Sequence, residues 1–412
     1  MITFLITVIK LLVILCIVAT IHEFGHFLAA KLFKIGVNEF SIGYGPKIIQ
    51  KKFKETMYSL RWIPLGGYVM IEGEGEKSES ENSFAKKHPF KRIVVLSMGV
   101  IFNFILGIVV LISVAAFVPV YTTEITELSN SSPLVEAGIE VGDKITKING
   151  NNVLFASDLS VLNYEGENSA TIEYVRDEKT YSVNVDNVTK KIGYLGIAFT
   201  TKDDTEVNNV SKGSAADKAG IKSKDKILKV DSTYVNDSTQ VISLVQQKPN
   251  EKVLLEVERN ENIINLEVVP SEQIRFDLGI LDTKEEKSNL YYSINKALYT
   301  VKSVIDSYVM LFQGKVGLND LSSIVGIGVV VSKTSGVIEY FNMLALISLA
   351  IGAANILPFV PLDGGKIVFV IYEWITKRKP SEKFETILTY IGWILLLLLT
   401  IVVTFKDVMN IF

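Results

Sequence analysis

Near the N-terminus, His22-Glu23-Phe24-Gly25-His26 sets two imidazoles four positions apart with a carboxylate between them. On a helix, positions i and i+4 share a face, so both rings can reach one metal ion. Glu23 falls on an adjacent face, near enough to take a proton from a water that the ion polarises. Catalytic zinc ordinarily uses three protein ligands and one water. The chain has only three histidines, and the third, His88, lies in the basic run Lys86-Lys87-His88-Pro89. A carboxylate inside an apolar stretch is the better third ligand, and almost the only one is Asp363. It sits in Asn355-Ile356-Leu357-Pro358-Phe359-Val360-Pro361-Leu362-Asp363-Gly364-Gly365. Zn2+ is therefore the expected cofactor.

Membrane spans are expected to position these residues. Residues 4–33, 93–117 and 387–405 are apolar and long enough to cross roughly 30 Å of hydrocarbon. A fourth stretch, 340–371, is interrupted between Pro358 and Gly365. Broken helices at membrane depth are tolerated where the freed backbone meets protein or a water-lined cavity. Titratable groups at such depth are costly and need partners, which fits His22, Glu23 and His26 to a metal site. The first stretch lacks the basic leader and small-residue cleavage site of a signal peptide and is expected to be retained. Lys51, Lys52, Lys54, Lys86, Lys87, Lys91 and Arg92 lie between the first two spans. Lys377, Arg378, Lys379 and Lys383 lie between the last two. The positive-inside rule makes both loops cytoplasmic and turns residues 118–289 outward.

That outward segment carries a repeat. Ser132 to Val153 aligns without gaps on Ser214 to Val235, matching Gly138 with Gly220, Asp143 with Asp225 and Ile145 with Ile227. The copies differ at Gly142 against Lys224 and Asn149 against Asp231. Each reads as a short helix ending at glycine, a turn with aspartate, then a strand. The pair resembles tandem PDZ domains of the circularly permuted bacterial type, expected over residues 118–200 and 201–275. Apolar Ile294, Leu298, Val301, Ile305, Tyr308 and Phe312 recur at helical spacing, predicting an amphipathic helix over 288–314. It would lie on the membrane surface or against the spans. A formal charge of −3 gives no basic field for nucleic acid. One cysteine, Cys16, excludes any disulfide within the chain.

The HEFGH motif and the late Asn-x-x-Pro…Asp-Gly element resemble the site-2 protease family of intramembrane metalloproteases. With the paired PDZ-like domains, the chain is most similar to the bacterial regulator-of-sigma-E protease branch. The stretches around Gly43-Tyr44-Gly45-Pro46 and Trp62-Ile63-Pro64-Leu65-Gly66-Gly67-Tyr68-Val69 resemble that family's membrane-associated β-region. Leu321 to Ile327 resembles its Gly-Pro-Val-Gly-Ile segment, with Ser323-Ile324 in place of Gly-Pro. The late motif departs by having Val360 before Pro361. The resemblance implies His22, His26 and Asp363 as zinc ligands, Glu23 as general base and Asn355 as a substrate-backbone contact.

The expected fold is a multi-pass α-helical membrane protein. It has about four transmembrane helices, two extracytoplasmic PDZ-like α+β domains and a membrane-associated β-region. The first two helices and the β-region fall in residues 1–117 and the last two helices in 335–412. The expected substrates are single-span membrane proteins, such as anti-sigma factors or signal-peptide remnants, cut after a prior ectodomain cleavage. A substrate helix must unwind to expose its carbonyls, and strand addition along Gly43, Gly45, Gly66 and Gly67 would hold it extended. Substrate ends would meet the PDZ-like domains, or those domains would exclude bulky ectodomains, and the site would lie towards the cytoplasmic side of a bacterial inner membrane. The competing reading is a non-catalytic PDZ-bearing membrane scaffold.

Overall fold

The computed structural model describes residues 2–75, 78–162, 166–199, 203–314, 321–334 and 336–411. The chain divides into two compact units, Met1–Val118 with Lys287–Phe412, and Pro119–Glu286.

In the first unit, helix α1 spans Ile2–Leu32. A hairpin follows, strand β1 at Val37–Phe53 paired antiparallel with β2 at Thr56–Ile71. Helix α2 spans Pro89–Ala115. It begins four residues ahead of the expected apolar boundary because Pro89 occupies its first turn and the His88 side chain accepts from the Phe90 amide. The interrupted stretch becomes two helices, Val337–Asn355 and Asp363–Thr376. Pro358 and Pro361 cannot continue the first, and Asp363 opens the second. Helix Glu382–Ile411 completes the series. Among the described residues four helices, Leu5–Leu32, Pro89–Ala115, Val337–Asn355 and Glu382–Met409, are long and apolar enough to cross a membrane. Trp393, Leu397 and Phe405 remain exposed on the last, as lipid-facing side chains would.

The amphipathic helix forms over Leu290–Phe312, capped by Asn289, whose side chain accepts from the Tyr292 amide. It takes the second of the two expected placements. Ala297, Val301 and Val304 join Leu111 of α2 and Leu349 of the broken span in one core, and the Tyr308 hydroxyl donates to the Ala350 carbonyl at 2.8 Å.

The hairpin is more folded than its two long strands imply. Phe40 pairs with both Val69 and Tyr58, and Ile42 with both Gly67 and Leu60. The start of β1 is thus a middle strand, and residues 67–71 form an edge.

The second unit holds two cores, each built on one copy of the repeat. Helices Pro133–Glu136 and Ala215–Lys218 are capped by Ser132 and Ser214, and strands Lys144–Ile148 and Lys226–Val230 follow. The positions that differ between copies keep one backbone. Gly142 and Lys224 have φ of 97° and 71°, Asn149 and Asp231 of 51° and 53°. Asp143 accepts from Arg176 at 2.6 Å, as Asp225 does from Arg259 at 2.6 Å. The cores do not divide between residues 200 and 201. One contains Ile125, Leu134, Ile145 and Ile172 together with Phe276 and Leu278. The other runs from Leu195 to Val268. The second lobe is nested in the first, because strand Ile280–Glu286 returns to pair with Val120–Leu128. The nested lobe joins through strand Thr189–Tyr194 paired with Ser271–Asp277, which on its other side pairs with Ser160–Leu162 of the first lobe.

Candidate metal centre

Each donor is placed by a different local cause. His22 and His26 lie one turn apart on α1, both almost fully buried. Asp363 comes from the first residue of the short helix after the proline break, where a carboxylate also favours the helix N-terminus. The three ligand atoms converge within 4.8 Å of one another. His22 Nε2 is 3.0 Å and His26 Nε2 3.3 Å from Asp363 Oδ2, and the two Nε2 atoms are 3.1 Å apart.

The polarity of this cluster decides what it can hold. His26 Nδ1 lies 2.8 Å from the Val95 carbonyl, which can only accept. The proton is therefore on Nδ1, and a neutral His26 presents a lone pair at Nε2. Asp363 Oδ2 is buried and finds no hydrogen-bond partner among the described residues. Electron-rich atoms this close repel unless a cation lies between them. Two imidazole nitrogens and one carboxylate oxygen form a catalytic zinc donor set, and the residues fit that ion.

Glu23 is half-buried, and its Oε2 accepts from the Val69 amide at 3.0 Å. That amide lies on the edge formed by residues 67–71, so the hairpin edge and the carboxylate meet directly. The glycines of the expected β-region fall on this hairpin. Gly43 and Gly45 are in β1 with φ of 83° and 81°, Gly66 and Gly67 in β2. The hairpin lies against α1 one turn before His22, since a Cβ on Gly66 would come 3.1 Å from Ala19 Cβ. Tyr44 donates to the Gly67 carbonyl at 2.7 Å. Asn355 ends its helix half-buried, just before the proline break.

Sequence reasoning missed two partners of the histidines and two ion pairs on the Asp363 helix. The Val95 carbonyl is backbone and leaves no signal. Asn103 is fully buried, with Nδ2 3.3 Å from His22 Nδ1; its signal was an amide within an apolar span. Two ion pairs hold the Asp363 helix, Arg92 to Glu373 and Lys366 to Glu74, each at 2.7 Å.

Comparison with known proteins accords with this geometry. Residues 10–399 match the profile of peptidase family M50. A Vibrio cholerae protein is 31% identical, with 97% of each chain covered. The Escherichia coli regulator of sigma-E protease RseP is 28% identical over 99% of each chain. The zinc metalloprotease RasP of Oceanobacillus iheyensis is 24% identical, covering 98% of this chain and 99% of its own. A single family thus accounts for nearly the whole length, and the chain, with helices able to cross a membrane, is a member of peptidase family M50, a membrane zinc metalloprotease of the site-2 type.

Proposed function

We propose that the protein hydrolyses peptide bonds in transmembrane segments of single-span membrane proteins, with His22, His26 and Asp363 holding zinc and Glu23 as the general base. The observation that carries this reading is the convergence of three lone-pair donors within 4.8 Å, beside a carboxylate on the same helix. Bound there, zinc supplies Lewis-acid polarisation of the scissile carbonyl and of the attacking water. Glu23 takes the water's proton and returns it to the leaving amide nitrogen. The Val69 amide holds Glu23 in place by the bond between them. A substrate helix unwinds, and its extended segment adds to the edge at residues 67–71, exchanging internal hydrogen bonds for bonds to that strand. Asn355, at the end of its helix, binds the substrate backbone.

The paired lobes of Pro119–Glu286 are PDZ-like domains that meet the ends of substrates already trimmed outside the membrane. The lysine- and arginine-rich loops face the cytoplasm of a bacterial cell, and the site lies towards that side. Anti-sigma factors and signal-peptide remnants are the substrate class that fits a cut at this depth.

Zinc analysis of purified protein, with cleavage of a model single-span substrate, tests the assignment. Glu23→Gln should keep one zinc and lose cleavage, because an amide fills the same space without accepting a proton. Asp363→Asn should lose zinc as well, weakening it beyond the roughly 10–100-fold cost of losing an outer partner. Near-wild-type turnover by Glu23→Gln would sink the reading.

A further inference from the structure

We propose that Asn103 is a positioning residue that fixes the tautomer of His22, an inference resting on the zinc reading above. Asn103 has no exposed surface and lies on α2 amid apolar side chains. Its Nδ2 and His22 Nδ1 are 3.3 Å apart. The two ends of a carboxamide have the same shape, so hydrogen bonding decides which end faces which neighbour. With the amide nitrogen towards His22, the imidazole accepts at Nδ1 and carries its proton on Nε2, the atom facing Asp363. Asn103 Oδ1 is then buried with no partner among the described residues. Turned over, Oδ1 accepts from His22 Nδ1–H, and Nε2 offers its lone pair to the metal. This orientation gives the buried oxygen its donor and leaves the amide nitrogen in the partnerless position instead; what selects it is that His22 can ligate only through an unprotonated Nε2. It also makes His22 match His26, whose contact with the Val95 carbonyl requires the same tautomer.

The surroundings hold Asn103 for this task. Ser348 donates to its backbone carbonyl at 2.8 Å, tying α2 to the first half of the broken span. Gly352 leaves room beside it, since a Cβ there would come 3.3 Å from Asn103 Cβ. Metal-bound histidines regularly donate their second N–H to such an acceptor, and losing it costs about 10–100-fold in metal affinity. One histidine here uses a backbone carbonyl and the other a side chain, so only the second can be removed by mutation.

The test combines imidazole nitrogen NMR of zinc-loaded protein with zinc affinity measured by chelator competition. Because the chain has three histidines, their signals can be assigned by single substitution. Wild type should show His22 protonated at Nδ1. Asn103→Leu, similar in size, should leave that N–H without an acceptor, read as a shifted nitrogen resonance, and weaken zinc by about 10–100-fold. Asn103→Asp, which still accepts, should keep both tautomer and affinity close to wild type. A wild-type His22 protonated at Nε2 overturns the proposal, whether or not any variant folds. Asn103→Leu binding zinc as tightly as wild type also overturns it. So does Asn103→Asp failing as badly as leucine, which would mark a packing role. Wild type that binds no zinc would instead refute the underlying metal assignment.

Discussion

Gly25 lies inside the His22–His26 turn, and a Cβ there would come 2.7 Å from the Met98 carbonyl carbon. Across the contact, a Cβ on Gly99 would come 2.7 Å from Cε1 of both imidazoles. These two positions let α1 and α2 approach until the rings fill the space that side chains would occupy. Gly99→Ala should therefore push the rings off their common point, at about 1–3 kcal/mol of overpacking. Metal analysis should find well under one zinc per chain while circular dichroism stays helical; a fully loaded variant would refute the argument. The four residues at the centre were legible because titratable groups within apolar runs demand a reason. Gly25 and Gly99 were not, because a glycine in an apolar helix looks alike whether it faces lipid or an imidazole. Asn103 was visible as an amide, but not as a partner of a residue 81 positions away.

Among the elements, the broken span was legible from its prolines and glycines, which dictate where a helix must stop. The hairpin was less so. Its register shifts repeatedly, and nothing in the alternation of side chains announces that residues 67–71 lie at an edge. Val69→Pro tests what that edge does, since proline is tolerated there but has no N–H to give Glu23. Zinc content should stay unchanged while kcat/KM falls by about 100-fold, the scale of misplacing a catalytic group by an ångström. Val69→Ala, which keeps the amide, should behave as wild type, and equal loss in both variants would show that the amide is irrelevant. In the lobes of Pro119–Glu286, Asp143 and Asp225 were visible as repeat positions, but Arg176 and Arg259 lie beyond the aligned segment. Burial alone would raise the Asp143 pKa. The bonds from Arg176 and the Glu140 amide reverse this and hold it below the usual carboxylate range. A lowered native pKa stabilises the fold above the unfolded value, about 3.9, and that stability drains away as pH falls through the native value. Thermal unfolding of the Pro119–Glu286 fragment should thus fall steeply below about pH 4, and less steeply in Asp143→Asn. Identical pH profiles would show that Asp143 does not carry the effect.

For the whole molecule, the sequence made the two repeat lobes look like beads in a row, because a gapless repeat conveys similarity but not connectivity. The structure places one inside the other. Val120 pairs with Glu286 and Thr189 with Phe276, so each lobe begins and ends on adjacent strands. Such a lobe can be lengthened, replaced or removed between paired strands with little disturbance to whatever holds them.

Nesting also sets an order in time. A chain emerging from the ribosome delivers every residue of the inner lobe's core, Leu195 to Val268, before Phe276, Leu278 and strand Ile280–Glu286 arrive to finish the outer one. Until then the outer lobe's first strand, Val120–Leu128, has an open edge and an incomplete core, the condition in which nascent domains mispair. The inner lobe should be the autonomous folder and the outer lobe the dependent one. A fragment of residues 195–268 should unfold cooperatively on its own, whereas 119–188 should stay unstructured until a peptide of 271–286 is added in trans. A cooperatively folded 119–188 fragment without that peptide would contradict this order. Late truncation of the chain, between these cores, should then leave a membrane protein carrying one finished domain inside one that cannot close.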